Sequence, residues 1–322
     1  MRKRKLGNSE LELTTVGLGT WAIGGPWEYG WGPQSDRDSF EAIREAREQG
    51  INWIDTAAVY GCGHSEEVVG SALKELGWKP VVATKCGLLC DEQRRKVSCL
   101  DAASIKKECE DSLRRLKVEV IDLYQMHWPQ PEEQLEEGWA AMAELVKEGK
   151  VRYIGASNFS VEQLEMVSKI HPVTSLQPPY SMFRRGIETS LLPYCRDSSI
   201  GIVAYSPMDR GLLTGKFTYE KLEQLAPDDN RRKHPLFSEP NFSHVQKCLS
   251  RLKPIAADNG ISLAQLAIAW AIRDQAVTSA IVGARKSGQI GETAPAADME
   301  LSQADISQIE TILKDFENSI EE

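Results

Sequence analysis

Eight short runs of strand-forming residues alternate with amphipathic helical stretches along almost the whole chain, and this alternation restricts the fold more than any single motif. The runs cover residues 15–17, 52–54, 81–84, 121–124, 151–155, 174–176, 202–204 and 280–282. Between them, apolar spacing predicts helices over 39–48, 66–76, 103–116, 135–147 and 161–170. In 103–116, for example, Ile105, Cys109, Ser112, Leu113 and Leu116 fall three and four apart, on one helical face. Gly50, Gly77 and Gly149 follow three of these stretches, where a left-handed C-cap favours glycine. Strand, helix, strand repeated without linker or compositional break predicts one α/β domain over 1–322. Eight strands is the number that closes a parallel (β/α)8 barrel of the TIM type.

Three segments depart from the repeat. Residues 3–13 predict a small N-terminal β-hairpin with Gly7-Asn8 near its turn. Residues 24–37 form a glycine- and aromatic-rich loop carrying Trp27, Tyr29 and Trp31. Residues 208–241 form a long polar loop with prolines. Loops of that length in a compact domain are usually functional, and both are expected at the C-terminal face of the barrel.

Composition narrows the partners. Apolar residues make up 41% and charged residues 26%, enough for a large core, and no apolar run reaches the length of a membrane span. Met1 to Lys5 is basic, but no apolar stretch follows, so no secretory signal is read and a cytoplasmic location is expected. A net charge of −9 argues against a general nucleic-acid surface. The seven cysteines are odd in number and irregularly spaced, which predicts reduced thiols near strand ends rather than a disulfide framework. Cys62-Gly-His64 with Cys86 and Cys90 lacks a C-x-x-C pair, so no metal site is expected. Cys62 and Cys86 flank Tyr60 and Lys85, which brings a thiol near the pocket mouth under consideration, beside the plainer reading of inert buried thiols.

The polar residues that follow the strands carry the chemistry. After the first come Gly19, Thr20 and Trp21; after the second, Asp55 and then Tyr60. Lys85 follows the third, His127 the fourth, Ser157 and Asn158 the fifth, and Gln177 the sixth. Tyr205-Ser206-Pro207 follows the seventh, and Gly283, Arg285 and Lys286 the eighth. In a parallel barrel these ends share one face, where such enzymes place their sites. Taken singly, each has an ordinary structural reading: Asp55 and Lys85 can be a buried ion pair without function, and His127 a structural histidine. Together they make a proton-transfer set. Lys85 beside Tyr60 is expected to lower the phenol's pKa, Tyr60 can then give a proton to a carbonyl oxygen, and His127 can orient that oxygen.

Several familiar sites are missing. No G-x-S-x-G elbow occurs, and Gly17-Leu-Gly19 does not complete the dinucleotide fingerprint because Ala22 stands at its sixth position. Gly211-Leu-Leu-Thr-Gly215-Lys216-Phe217 is one residue short of a P-loop, and Phe217 replaces its Ser or Thr. Its glycines still let backbone amides approach a diphosphate. Gly283-Ala-Arg-Lys286 precedes a predicted helix, so cations and a helix N-terminus coincide as a seat for a phosphate.

The ordered set of segments Val16-Gly-Leu-Gly-Thr-Trp-Ala-Ile-Gly24, Ile54-Asp-Thr-Ala-Ala-Val-Tyr-Gly61, Ser65-Glu-Glu, Ile121-Asp-Leu-Tyr-Gln-Met-His-Trp-Pro129, Gly149-Lys-Val-Arg-Tyr-Ile-Gly-Ala-Ser-Asn-Phe159, Tyr205-Ser-Pro and Val282-Gly-Ala-Arg-Lys286 resembles the aldo-keto reductases along nearly the whole chain. It looks most like the bacterial NADPH-dependent reductases of the general-stress type. The resemblance implies a TIM barrel, an extended NADPH or NADP bound without a Rossmann fold, and a small-molecule carbonyl substrate. It implies Asp55, Tyr60, Lys85 and His127 as the catalytic set, with Asp55, Thr20 and Trp21 also beside the cofactor. Ser157, Asn158 and Gln177 are implied for the carboxamide and Tyr205 for stacking on the nicotinamide. Ser206, Pro207, Arg210, Gly211, Leu212, Gly215 and Lys216 would wrap the diphosphate. Gly283, Arg285, Lys286, Gln289 and Glu292 would hold the adenosine end, with Thr293 a departure from the Asn of many relatives. Trp21, Trp27 and Trp128 are expected to line the substrate pocket. Some members of the family, such as potassium-channel β-subunits, act mainly as NADPH-binding regulatory partners. That reading stands as the alternative to a reductase with turnover.

Overall fold

Alternation along the strands decides what faces the barrel axis. In the computed structural model, which describes residues 1–225 and 229–320, the strands in chain order are β1 (Lys3–Lys5), β2 (Glu12–Thr14), β3 (Val16–Gly19), β4 (Trp53–Asp55), β5 (Val81–Cys86), β6 (Leu88–Cys90), β7 (Lys96–Ser98), β8 (Ile121–Met126), β9 (Val151–Ser157), β10 (Ser175–Gln177), β11 (Gly201–Tyr205) and β12 (Val277–Gly283). Eight of them form a closed parallel barrel in the order β3, β4, β5, β8, β9, β10, β11, β12 and back to β3. Trp53, Ala83 and Leu123 belong to a small cluster inside the barrel with Leu6, Leu11, Leu13, Val203 and Ile281, while Ile54, Val82 and Tyr124 belong to the larger core under the helices. Continuing the same phase brings Asp55, Lys85 and Gln125 inward, one layer above that apolar floor.

Helices over Asp36–Glu48, His64–Leu76, Ala102–Leu116, Leu135–Lys147 and Val161–Ser168 cover the first half of the barrel, within a few residues of the predicted spans. Three of the five start on a side-chain cap. Ser35 accepts from the Asp38 amide, Asp101 from the Ser104 amide, and Ser160 makes a capping box with Gln163. Gly50, Gly77 and Gly149 take the left-handed conformation at the other ends.

The structure departs from the sequence reading in three places. Strands β5, β8 and β9 run past their apolar cores to Cys86, Met126 and Ser157, because ladder pairing continues through polar pairs such as Lys85 with Gln125. The predicted N-terminal hairpin is present as β1 and β2, with Lys3 opposite Thr14, but a second antiparallel hairpin, β6 and β7, stands at the barrel mouth unannounced. The long loop 208–241 contains 3-10 turns over Asp209–Thr214, Asn230–Lys233 and Pro235–Phe237 and a short helix over Tyr219–Glu223. Its residues 226–228 lie outside the described residues. Among the described residues no helix is long and apolar enough to cross a membrane.

Candidate active site

The strand ends bring Asp55, Tyr60 and Lys85 into one chain of contacts. Lys85 is 1% exposed, and a buried ammonium needs acceptors. Its Nζ donates to Asp55 Oδ2 at 2.6 Å, to the Thr56 carbonyl at 2.9 Å and to the Tyr60 hydroxyl at 3.2 Å. Asp55 Oδ1 accepts from Gln177 Nε2 at 2.8 Å and from Gln125 Nε2 at 3.2 Å, so both carboxylate oxygens are held. The Lys85 ammonium is held above its usual range: burial opposes the charge, but Asp55 and Tyr60 outweigh it.

The Tyr60 phenol corrects the sequence reading. Burial dominates and raises its pKa, with Lys85 pulling it down and Asp55 pushing it up. Desolvation of a phenolate at a nearly buried site outweighs one cation whose charge is already shared with a carboxylate. Tyr60 is therefore a protonated donor at neutral pH, with the ammonium in place for the charge that proton loss would create.

His127 stands 5.7 Å from Tyr60, ring centre to ring centre, in an edge-on arrangement. Its backbone N–H donates to the Cys86 carbonyl and its carbonyl accepts from Asn158 Nδ2, which fixes the residue at the end of β8. Burial, with Lys85 and Lys96 nearby, pushes its imidazole well below the usual range, so it is neutral and carries one N–H at pH 7. Trp21 and Trp27 lie 6.5 and 6.4 Å from the Tyr60 ring, and Trp31 packs edge-on to Trp21 at 5.6 Å. These rings make an aromatic cup around the phenol. Trp128, the third tryptophan expected in the pocket, is 38% exposed and has no ring contact among the described residues.

The groups expected at the nicotinamide end also converge. Ser157 Oγ donates to the Gln177 carbonyl, Asn158 Nδ2 donates to Ser157 Oγ, and the Tyr205 hydroxyl donates to Asn158 Oδ1 at 3.0 Å. Asn158 adopts φ 62°, which turns its amide back over the β9 end. Gln177 Oε1 takes no hydrogen bond among the described residues, and Asn158 Oδ1 keeps a second lone pair, so two acceptors remain for a carboxamide N–H. The half-buried Tyr205 ring is available as a stacking platform. Thr20 is committed within the protein, donating to the Asp55 carbonyl and accepting from Ser65. These residues fit a nicotinamide group.

Beyond Tyr205 the backbone is unusual. Ser206, Asp209, Arg210, Gly211 and Gly215 all have positive φ, the conformation that turns successive amides toward an anion. The Leu212 side chain is fully buried and Pro207 is buried, so those two offer backbone only. Asp209 is fully buried and neither of its oxygens has a partner among the described residues; burial raises it to about 6. Lys216 is clipped to Glu292 at 2.6 Å, which ties this loop to the segment after β12. Arg231, ion-paired with Asp229, lies 4.8 Å from the Trp31 ring and 5.3 Å from Phe217, bridging the two mouth loops.

At the opposite end Arg285 donates to Gln34 Oε1 at 2.9 Å and to the Pro33 carbonyl at 2.6 Å. Gln289 Oε1 accepts from the amides of Arg285 and Lys286, and Lys286 is exposed beside exposed Gly283. Of the predicted phosphate seat, the helix N-terminus is the part that the structure revises; the two cations remain beside it. The helix Gln289–Thr293 is five residues long, and the Gly288 amide at its start already donates to Glu45 Oε2.

Sequence reasoning missed several partners. Gln125 sits two residues before His127 on the inward phase of β8, and that alternation was the available signal. Arg231 and the Glu66–Arg115 pair, which supports Thr84 beside Lys85, come from distant segments and had none. The cysteine reading is also corrected: Cys62 and Cys90 form a disulfide, with Cα atoms 5.6 Å apart. Tertiary proximity of a turn and a hairpin made the pair, and 28 residues of sequence separation concealed it. Cys86 is buried and free.

Comparison with known proteins places this arrangement. Residues 15–314 match the model of the aldo/keto reductase family. The chain is 40% identical to the aldo-keto reductase YhdN of Bacillus subtilis, covering 98% of this chain and 94% of that protein. It is 34% identical to an NADH-specific methylglyoxal reductase of Escherichia coli over the full length of both. It superposes on the structure of the glycerol dehydrogenase AKR11B4 from Gluconobacter oxydans with a TM-score of 0.90 at 38% identity, covering 99% of this chain and 97% of that one. Full-length matches of this kind, on a closed eight-stranded barrel with its polar residues gathered at the strand ends, show that the chain belongs to the aldo/keto reductase family of nicotinamide-dependent carbonyl reductases.

Proposed function

We propose that this protein reduces small aldehydes or ketones to alcohols with NADPH, working as a single barrel domain in the cytoplasm, with Tyr60 as the proton donor. The observation that carries the reading is Lys85 Nζ, which reaches both Asp55 Oδ2 at 2.6 Å and the Tyr60 hydroxyl at 3.2 Å. A reduced nicotinamide, when bound, supplies the hydride that the carbonyl carbon receives. Tyr60 gives its proton to the oxygen as negative charge develops there, and the Lys85 ammonium stabilises the phenolate left behind. Asp55 holds Lys85 in place, and neutral His127 offers an N–H to orient the carbonyl. Ser157, Asn158, Gln177 and Tyr205 would hold the nicotinamide, the first three at its carboxamide and Tyr205 by stacking. The aromatic cup of Trp21 and Trp27 gives the carbonyl's substituents an apolar wall beside Tyr60, and a substrate of a few carbons is proposed. Names of the relatives point to that size, methylglyoxal in one and glycerol in another.

Replacing Tyr60 by Phe tests the assignment. Cofactor affinity should persist while reduction across a small-aldehyde panel that includes methylglyoxal falls by at least about a hundredfold, the low end for general acid catalysis. Near wild-type turnover by that variant would overturn the role.

The preference for NADPH rests on Arg285 and Lys286. Arg285 is paired with neutral acceptors rather than carboxylates, so its charge stays available, and Lys286 is exposed beside it. Glu45 on the Gly288 amide opposes them. Two charge-assisted contacts would favour the ribose phosphate by roughly two to four powers of ten. Titration of NADPH and NADH against the wild type and an Arg285→Ala, Lys286→Ala double variant decides it. Equal binding of both cofactors by the wild type, or a preference that survives in the double variant, moves the discrimination elsewhere.

A further inference from the structure

We propose that Cys62 and Cys90 form a reversible thiol–disulfide site in the wall of the carbonyl pocket, whose cross-link sets how firmly Tyr60 is held; the catalytic consequence rests on the reductase reading above. Cys62 lies two residues after Tyr60, in the turn before the helix His64–Leu76, and Cys90 ends β6. Because β6 follows directly on the strand that carries Lys85, the bond ties the proton donor's turn to the segment that carries its lysine.

The β6–β7 hairpin braces three walls of the pocket. Leu88 and Cys90 pack with Ala57, Val59, Tyr60, Trp21 and Trp27. Arg94 Nη2 donates to the Gly61 carbonyl at 3.0 Å and the Pro26 carbonyl at 3.2 Å, and the Lys96 amide donates to Glu28 at 2.6 Å. These contacts do not depend on the S–S bond. Opening it therefore leaves the hairpin docked and the barrel closed, and removes the one covalent tie on the turn that carries Tyr60, which is then held by hydrogen bonds and packing alone.

The pair is also accessible. Both sulfurs belong to half-buried residues, as does the thiol of Cys99, which is paired with no other cysteine, whereas Cys86, Cys109, Cys195 and Cys248 are buried. Burial pushes the thiols of Cys109, Cys195 and Cys248 up to about 12, which leaves little thiolate at neutral pH. In a reducing compartment a half-buried pair of this kind responds to redox conditions rather than serving as a permanent staple. Closure needs a small disulfide as oxidant. One cysteine thiolate attacks it and releases one small thiol, and the second cysteine then attacks the resulting mixed disulfide and releases the other. The two protein protons end on the two small thiols, so the protein dithiol is oxidised and the small disulfide reduced.

The test equilibrates wild-type protein in glutathione buffers from fully reduced to fully oxidised. Thiols are counted after denaturation, and carbonyl reduction is measured in both end states. Seven thiols are expected in the reduced form and five in the oxidised form. The reduced form should show kcat lower by at least about threefold, a displaced alkaline limb in its pH profile and NADPH affinity within about twofold. A Cys62→Ser, Cys90→Ser variant should match the reduced form in every buffer, while Cys99→Ser should keep the response. Seven thiols in oxidised glutathione, or two forms with equal kcat and pH profile, overturn the proposal. Absence of turnover in both forms sinks the reductase reading instead, and the site is then judged by the thiol count and by tryptophan fluorescence of the cup, which must differ between the forms.

Discussion

Three side-chain donors, Lys85, Gln125 and Gln177, converge on the Asp55 carboxylate, so both oxygens of a group 3% exposed are hydrogen-bonded. Removing the cation leaves that carboxylate with amides alone. Lys85→Met should cost about 3–5 kcal/mol of stability, the usual penalty for breaking a buried pair. It should also slow carbonyl reduction, because the phenolate left by proton transfer loses its counter-charge. Denaturant titration and steady-state kinetics on the same preparation check both; loss of rate without loss of stability would mean that the pair is not buried in solution. At this scale much was legible in the sequence. Asp55, Lys85, His127 and Gln177 announce themselves as polar residues that interrupt apolar strands. Gln125, directly after the predicted run 121–124, was passed over for His127, and the direction of the Tyr60 shift was misread. A neighbouring cation can be read from sequence, but the completeness of desolvation cannot.

Among the elements, β3 and β4 show how closely the barrel floor is packed. A Cβ on Gly17 would fall 2.0 Å from Trp53 Cε2. The indole cannot retreat, since it is fully buried and its Nε1 donates to the Thr14 carbonyl and Ser279 Oγ, both at 3.1 Å. Gly17→Ala should therefore destabilise the protein by about 1–3 kcal/mol through overpacking, and Trp53→Leu in the same chain should recover part of the loss. A Gly17→Ala chain with wild-type unfolding free energy would contradict this packing. Helix ends were readable because C-terminal glycines act within a few residues. The β6–β7 hairpin was not, because strands of three residues are too short to show alternation. What holds them is contact with Tyr60 and Trp27 rather than a pattern of their own.

For the whole molecule, burial of titratable groups shapes the dependence of stability on pH. Glu108 is 4% exposed, accepts from the Gly87 amide, and is raised by burial from its ordinary 4.5 to about 8. It stays protonated in the folded protein while the unfolded chain ionises, so its contribution is complete below about 4.5 and is lost as pH rises toward 8. The neutral histidines His127 and His234 act oppositely: their folded values lie below 6.5, so stability is lost as pH falls through that value. Between pH 6.5 and 8 Glu108 acts without them, and stability should fall by about 2 kcal/mol. Glu108→Gln mimics the protonated form and should abolish that decline in urea titrations; an unchanged slope would place its pKa near the usual carboxyl value. Closure of the barrel and the face that holds the chemistry were determined by the sequence alone, since strand count, alternation and strand-end polarity are local properties that add along the chain. The Cys62–Cys90 bond, the meeting of Arg231 with Trp31, the occupation of the Gly288 amide by Glu45 and the net shifts of Tyr60 and Glu108 were decided only by tertiary structure. Each depends on which distant segments meet and how completely they exclude water, and neither quantity is carried by any stretch of neighbouring residues.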